Sequence, residues 1–84
     1  MTLSQIQSQL AEFIASRFPT VARPIDAATP LTDGGDIDSL GILEIVTFIA
    51  ETFEVEIADD DFLPEHFETL GSLARLVHGK VDAG

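Results

Sequence analysis

Three shortages narrow this chain before any motif is read: it has no cysteine, few cations and no long apolar run. Without cysteine, disulfides and thiolate metal sites are excluded, and disulfide-free folding suits a reducing cytosol. Zinc finds little else to bind, since the two histidines, His66 and His78, stand twelve residues apart. Four basic residues face fifteen acidic ones, a formal net charge of −11. Such a surface repels nucleic-acid phosphates and attracts partners with basic patches. No apolar stretch approaches the ~20 residues of a membrane helix. The start, Met1-Thr2-Leu3-Ser4-Gln5-Ile6, lacks the basic and apolar regions of a secretory signal. The expectation is a cytoplasmic monomer without nucleic-acid or membrane partners. Eighty-four residues make one domain, 1–84. A chain this short buries only roughly 60% of its unfolded surface, which leaves no room for a separate catalytic lobe.

The acids that are present are unevenly placed. Only Glu12 and Asp26 precede Asp33, only Asp82 follows Glu68, and all the others lie between. A solvated acidic face would account for acidity in general; the clustering favours a recognition surface.

Hydrophobic spacing predicts an all-α fold, with a long loop between the first two helices. Helix one covers about Leu3 to Phe18, with Leu3, Ile6, Leu10, Phe13 and Ile14 on one face and Thr2 and Gln5 at capping-box spacing. Pro19 stops it. The loop, roughly 20–37, contains Pro24, Pro30, Gly34 and Gly35, and Ile25 and Leu31 are its expected anchors on the core. Val55-Glu56-Ile57 reads as a loop packing Val55 or Ile57 inward. Asp59-Asp60-Asp61 then caps a short helix or turn around Phe62 to Phe67, where Pro64 either opens a turn of its own or breaks the segment. The last helix is expected from Leu70 to His78, capped by Thr69 and ended by Gly79, with Leu70, Leu73, Ala74 and Val77 inward. The ordered core is then about 3–79, and 80–84 a frayed tail.

Helix two carries the chemistry. Asp38 is its expected N-cap and Ser39 its first residue, after the acidic loop Asp33-Gly34-Gly35-Asp36-Ile37-Asp38. A serine there stands where backbone N–H groups and the helix dipole favour a phosphate. Glu44, Thr47, Glu51 and Glu54 form one narrow polar stripe, and Ser39, Leu43 and Thr47 lie along nearly the same line. Ser39 thus heads an exposed edge of Leu40, Leu43, Glu44, Thr47 and Glu51, suited to docking other proteins. Gly41 in the first turn is costly by about 0.5–1 kcal/mol relative to alanine. It either loosens the Ser39 turn or reflects drift.

Rival chemistries fit less well. A hydrolase would need a triad histidine held by an acid; His78 reads more simply as a residue complementing the dipole at the end of the last helix, and His66 as an exposed side chain. An EF-hand beginning at Asp36 would place Leu40 at its fifth position and Thr47 at its twelfth, where a bidentate glutamate belongs. A cofactor-free acidic helical adaptor fits composition and periodicity, but does not require a hydroxyl at the head of the exposed edge.

The blocks Asp36-Ile37-Asp38-Ser39-Leu40, Glu44-Ile45-Val46, Glu51-Thr52-Phe53 and Glu56-Ile57 resemble, in order and spacing, the core of freestanding acyl carrier proteins. Pro64 to Leu70 resembles stand-alone carriers, including aminoacyl and peptidyl carriers of secondary metabolism. The resemblance runs from about Leu3 to Val77. It implies a small four-helix bundle of three main helices and one short helix, and a carrier without catalytic activity or a metal of its own. Ser39 would accept 4'-phosphopantetheine from coenzyme A through a magnesium-dependent phosphopantetheinyl transferase. The arm's thiol would then hold an acyl or aminoacyl group as a thioester. Asp38 would orient the transferase. Leu40, Leu43, Glu44, Thr47 and Glu51, with Glu54 at the far end, would dock the transferase, a loading ligase and downstream synthase or transferase enzymes of fatty-acid, polyketide or nonribosomal-peptide type. Gly41 and Ala50 stand where acids are common in the family and weigh against a standard fatty-acid synthase partner set. Phe48 and Phe53, if inward, would compete for the space a sequestered cargo needs.

Overall fold

The computed structural model describes residues 1–21, 23–32 and 37–83 of the chain. It contains three α-helices: α1 (Leu3–Arg17), α2 (Ser39–Phe53) and α3 (Leu70–Ala83). Among the described residues there is no β-strand, only an isolated bridge between Pro30 and Thr69.

Local sequence sets the helix starts. At α1 the Thr2 hydroxyl accepts the Gln5 N–H at 3.1 Å while Gln5 Oε1 accepts the Thr2 N–H at 2.9 Å, a reciprocal box that satisfies two otherwise free donors. At α3 the Thr69 hydroxyl accepts the Ser72 N–H at 3.1 Å. The loop before α2 supplies more: the carbonyls of Thr29 and Ala27 accept the N–H groups of Leu70 (3.0 Å) and Gly71 (2.9 Å), so the start of α3 is clamped from outside the helix. A Cβ at Gly71 would sit 2.9 Å from the Ala27 carbonyl oxygen, which is why a glycine opens this turn.

Each helix buries one stripe. Ile6, Leu10 and Ile14 of α1, Ile45, Ile49 and Phe53 of α2, and Leu70, Leu73, Ala74 and Val77 of α3 form one core. Side chains buried this way contribute about 1.5–3 kcal/mol each for the larger residues. Val21, Leu31, Ile37, Ile57 and Phe67 complete it from the connecting segments. The expected anchors act as such, Leu31 fully buried and Ile25 packed on the core from outside; Ile57 rather than Val55 is the buried residue of its loop.

Of the two readings left open around Phe62 to Phe67, the turn holds and no single short α-helix forms: the segment has two 3₁₀ turns, Asp59–Asp61 and Pro64–His66, the second opened by Pro64. Pro64 lacks the N–H that would continue a helix and holds Leu63 extended (φ −103°, ψ 139°), so the chain restarts at Pro64. Nor does Gly79 end the last helix, which continues to Ala83. Two residues beyond Gly79 are held by tertiary contacts: the Lys80 ammonium meets the Asp61 carboxylate at 2.6 Å, and Val81 packs on the core.

Candidate functional site

Ser39 is the first residue of α2, exposed, with Asp38 as N-cap. Asp38 Oδ1 accepts the Gly41 N–H at 2.9 Å and the Asp38 carbonyl accepts the Ile42 N–H at 3.0 Å. The Ser39 hydroxyl therefore stands outside the protein on a capped helix start, where the positive end of the dipole faces any phosphate attached to it. The loop residues Asp33, Gly34, Gly35 and Asp36, read above as part of the acidic approach to Ser39, lie outside the described residues.

Gly41, in the first turn, has close neighbours. It is buried, and a Cβ there would meet Ile37 Cγ2 at 2.8 Å and the Phe18 ring at 2.9 Å. The end of α1 and the residue ahead of the N-cap thus press on the first turn of α2, two residues from Ser39. A larger residue at position 41 would require Ile37 or Phe18 to shift.

The edge below Ser39 is assembled largely as its spacing predicts. Leu40 and Leu43 are 71% and 56% exposed, large for leucine, and Thr47 and Glu51 follow on the same exposed side. The Thr47 hydroxyl turns back to donate to the Leu43 carbonyl at 2.9 Å. Leu40, Leu43, Glu44, Thr47 and Glu51 line one open groove of about 630 Å³, shared with Phe13, Arg17 and Phe48. Glu54 stands apart from it: it is the C-cap of α2, in the left-handed region (φ 55°, ψ 42°), a conformation uncommon for a residue with a side chain. Phe53 points into the core, whereas Phe48 is half-buried and stacks on Phe13 with ring centres 4.2 Å apart and 16° between planes.

One member of the edge is not free. The Arg17 guanidinium donates to Glu44 Oε1 at 2.6 Å, and this hydrogen bond and the charge of Glu44 hold the Arg17 pKa above its ordinary value. Arg17, Phe13 and Phe48 were not singled out by sequence reasoning as parts of the site. Arg17 is twenty-seven residues from Glu44, and only the packing of α1 beside α2 brings them together. Elsewhere Asp61 accepts from Lys80 and from the Ala58 N–H (2.9 Å), which together pull its pKa below the ordinary carboxylate value. Among the described residues no three His, Cys, Asp or Glu side chains converge as a metal site, and no helix is long and apolar enough to cross a membrane.

Comparison with known proteins agrees with this geometry. A family model described as "Phosphopantetheine attachment site" matches residues 8–77. The chain is 30% identical over 73 residues to "Probable acyl carrier protein PigG" of Serratia sp. (strain ATCC 39006), covering 86% of this chain and 84% of that protein. It also matches a chain in a structure described as "Crystal structure of FAD-dependent dehydrogenase", with a TM-score of 0.72, 32% identity, and coverage of 81% of this chain and 97% of that one.

Proposed function

Since the chain belongs to the phosphopantetheine-attachment family of acyl carrier proteins, whose prosthetic group is covalent 4'-phosphopantetheine, we propose that Ser39 is its point of attachment and that α2 presents the arm to partner enzymes. The observation that carries this reading is the position of the Ser39 hydroxyl: exposed, at the first residue of a capped helix, inside the matched span and at the head of an exposed apolar and acidic edge. The residues fit the group. A phosphodiester on Ser39 would meet the positive end of α2, and no packed side chain need move to admit it. The bound arm would supply a terminal thiol that holds an acyl or aminoacyl group as a thioester. The chain's own part is to fix the arm's origin, keep the thiol free of competing cysteines, and offer a docking surface.

In this reading 1–84 act as a single cytoplasmic carrier domain without catalytic activity of its own. Asp38, Leu40, Leu43, Glu44, Thr47 and Glu51, with Glu54 at the far end, contact a phosphopantetheinyl transferase, a loading ligase and downstream enzymes with basic patches. One candidate partner class is an FAD-dependent dehydrogenase, because a chain as short as this one, and 32% identical to it, comes from a structure described by that name. Titrating that dehydrogenase with the holo carrier tests it; no saturable binding at low salt would remove the class from consideration.

The attachment itself is tested by intact mass after incubation with coenzyme A, Mg²⁺ and a broad-specificity phosphopantetheinyl transferase. The expected result is one added phosphopantetheine, absent in Ser39→Ala. A folded, previously unmodified sample that gains no mass would return the chain to the class of cofactor-free adaptors.

A further inference from the structure

The groove below Ser39 has an order along its length. α1 and α2 run antiparallel where they meet, with Arg17 opposite Glu44 and Phe13 opposite Phe48. Moving away from Ser39 along α2, the lining is therefore first mixed, the Arg17–Glu44 ion pair beside the exposed Leu40 and Leu43, and one turn further aromatic, the stacked Phe13 and Phe48. From Ser39 to Phe48 is nine residues, a helical rise of about 14 Å.

We propose that this groove between α1 and α2 is the resting site of the tethered arm and its cargo, and that it favours a compact apolar or planar acyl group laid against Phe13 and Phe48. The inference rests on attachment at Ser39. An arm anchored there that folds back along α2 passes the Arg17 guanidinium and the Glu44 carboxylate, a donor and an acceptor for its two amides. It then delivers its thioester end to the aromatic pair. Tethering makes weak contacts sufficient, because a linked group experiences an effective concentration on the order of millimolar.

The interior is the rival location, and among the described residues it is lined by side chains with no exposure. Ile45, Ile49, Leu70 and Leu73 are completely inaccessible, and Phe53 and Phe67 fill the space beside them. A close-packed core admits a guest only by displacing such side chains, whereas the groove is already open. The groove shares Leu40, Leu43 and Glu44 with the proposed docking edge, so a partner seated on that edge and a resting cargo exclude one another. Docking then releases the cargo.

The test compares apo, holo and benzoyl-loaded holo protein by heteronuclear NMR, with intact mass recorded for each sample. The expected result is that benzoyl loading moves the methyl signals of Leu40 and Leu43 and the ring signals of Phe13 and Phe48, with nuclear Overhauser contacts between the benzoyl and Phe48 rings, while Leu70, Leu73 and Val77 stay in place. In Phe13→Leu the benzoyl ring-current shifts shrink at least twofold. Shifts concentrated on Ile45, Ile49 and Leu73, or confined to the turn holding Ser39, in a sample whose mass proves loading, overturn the groove and leave the attachment standing. A sample that gains no phosphopantetheine overturns both.

Discussion

Gly41→Ala and Gly79→Ala are the same chemical change in two helices, and the structure gives them opposite signs. Replacing glycine by alanine inside a helix ordinarily gains about 0.8–1 kcal/mol, because the glycine backbone is the more costly one to order. Gly79 lies exposed within α3, and a Cβ there meets nothing within 4 Å. The whole gain should appear, about 1 kcal/mol, which for a domain of this size raises Tm by roughly 4–8 °C. At Gly41 the new Cβ would lie 2.8 Å from Ile37 Cγ2 and 2.9 Å from the Phe18 ring. Overpacking of this kind costs about 1–3 kcal/mol. The propensity gain is also smaller so close to the helix start, so the net effect is a loss of about 1–2 kcal/mol. Urea unfolding read by circular dichroism measures both variants, with a shift in midpoint at constant m-value as the signature of a change in stability alone. A Gly41→Ala protein as stable as Gly79→Ala would refute the steric argument and return position 41 to the status of a tolerated glycine.

Three further outcomes follow from the contacts described. Asp38→Ala should lose the cap on α2 at a cost of about 1 kcal/mol, whereas Asp38→Asn, which keeps a capping oxygen, should lose only a few tenths; a loading rate by mass spectrometry that falls in Asp38→Asn at unchanged stability would assign the carboxylate to transferase recognition. The Asp61 pKa is lowered by the Lys80 ammonium and the Ala58 N–H. Its contribution to stability is thus complete above the ordinary value of 3.8 and is lost as pH falls through the lower folded value. The Tm advantage of the unmodified protein over Asp61→Asn, present near neutral pH, should therefore narrow and close in acid, and an advantage that widens in acid would contradict the sign. Glu51→Lys should slow association with a basic partner, and Arg17→Gln, which unmasks Glu44, should speed it. Both effects should fade as salt is raised and leave Tm nearly unchanged; stopped-flow rates that move in the same direction for both variants would sink the charge argument.

The parts of this protein legible in its sequence are those whose causes are local. Thr2 and Gln5, Asp38 and Ser39, and Thr69 mark helix starts through contacts three residues long or less. The inward stripes of α1 and α3 follow from periodicity within each helix. What could not be read depends on residues that meet only in the fold. Gly79 looks like a helix end until Asp61 is seen holding Lys80 beyond it. Gly41 looks optional until Phe18 and Ile37 are seen to occupy the volume of its missing side chain, and Gly71 draws no notice until Ala27 closes on it. Glu44 reads as a free acid of the docking edge because its cation belongs to α1. The site was legible as a line on one helix, and its groove was not, since three of its eight lining residues, Phe13, Arg17 and Phe48, lie off that line.

Helix α2 reconciles anchoring with display by keeping the two on separate lines. Gly41, Ile45, Ile49 and Phe53, four residues apart, are all buried; Ser39, Leu43, Thr47 and Glu51, also four apart, are all exposed. The two series differ by two positions, about 200° around the helix, so they occupy nearly opposite faces. If the exposed line is the docking edge proposed above, substitutions on it should change which enzymes dock at little cost in stability, while those on the buried line should loosen the platform itself. Gly41 connects the two tasks, because Phe18 and Ile37 lie where its side chain would be, against the turn from which the Ser39 side chain projects. An arm attached at Ser39, as proposed, would start from a turn packed against Phe18 and Ile37. A change that lifts this turn would therefore misplace the Ser39 hydroxyl relative to the docking edge without altering any residue that a partner reads, and loading should suffer even where docking affinity is preserved.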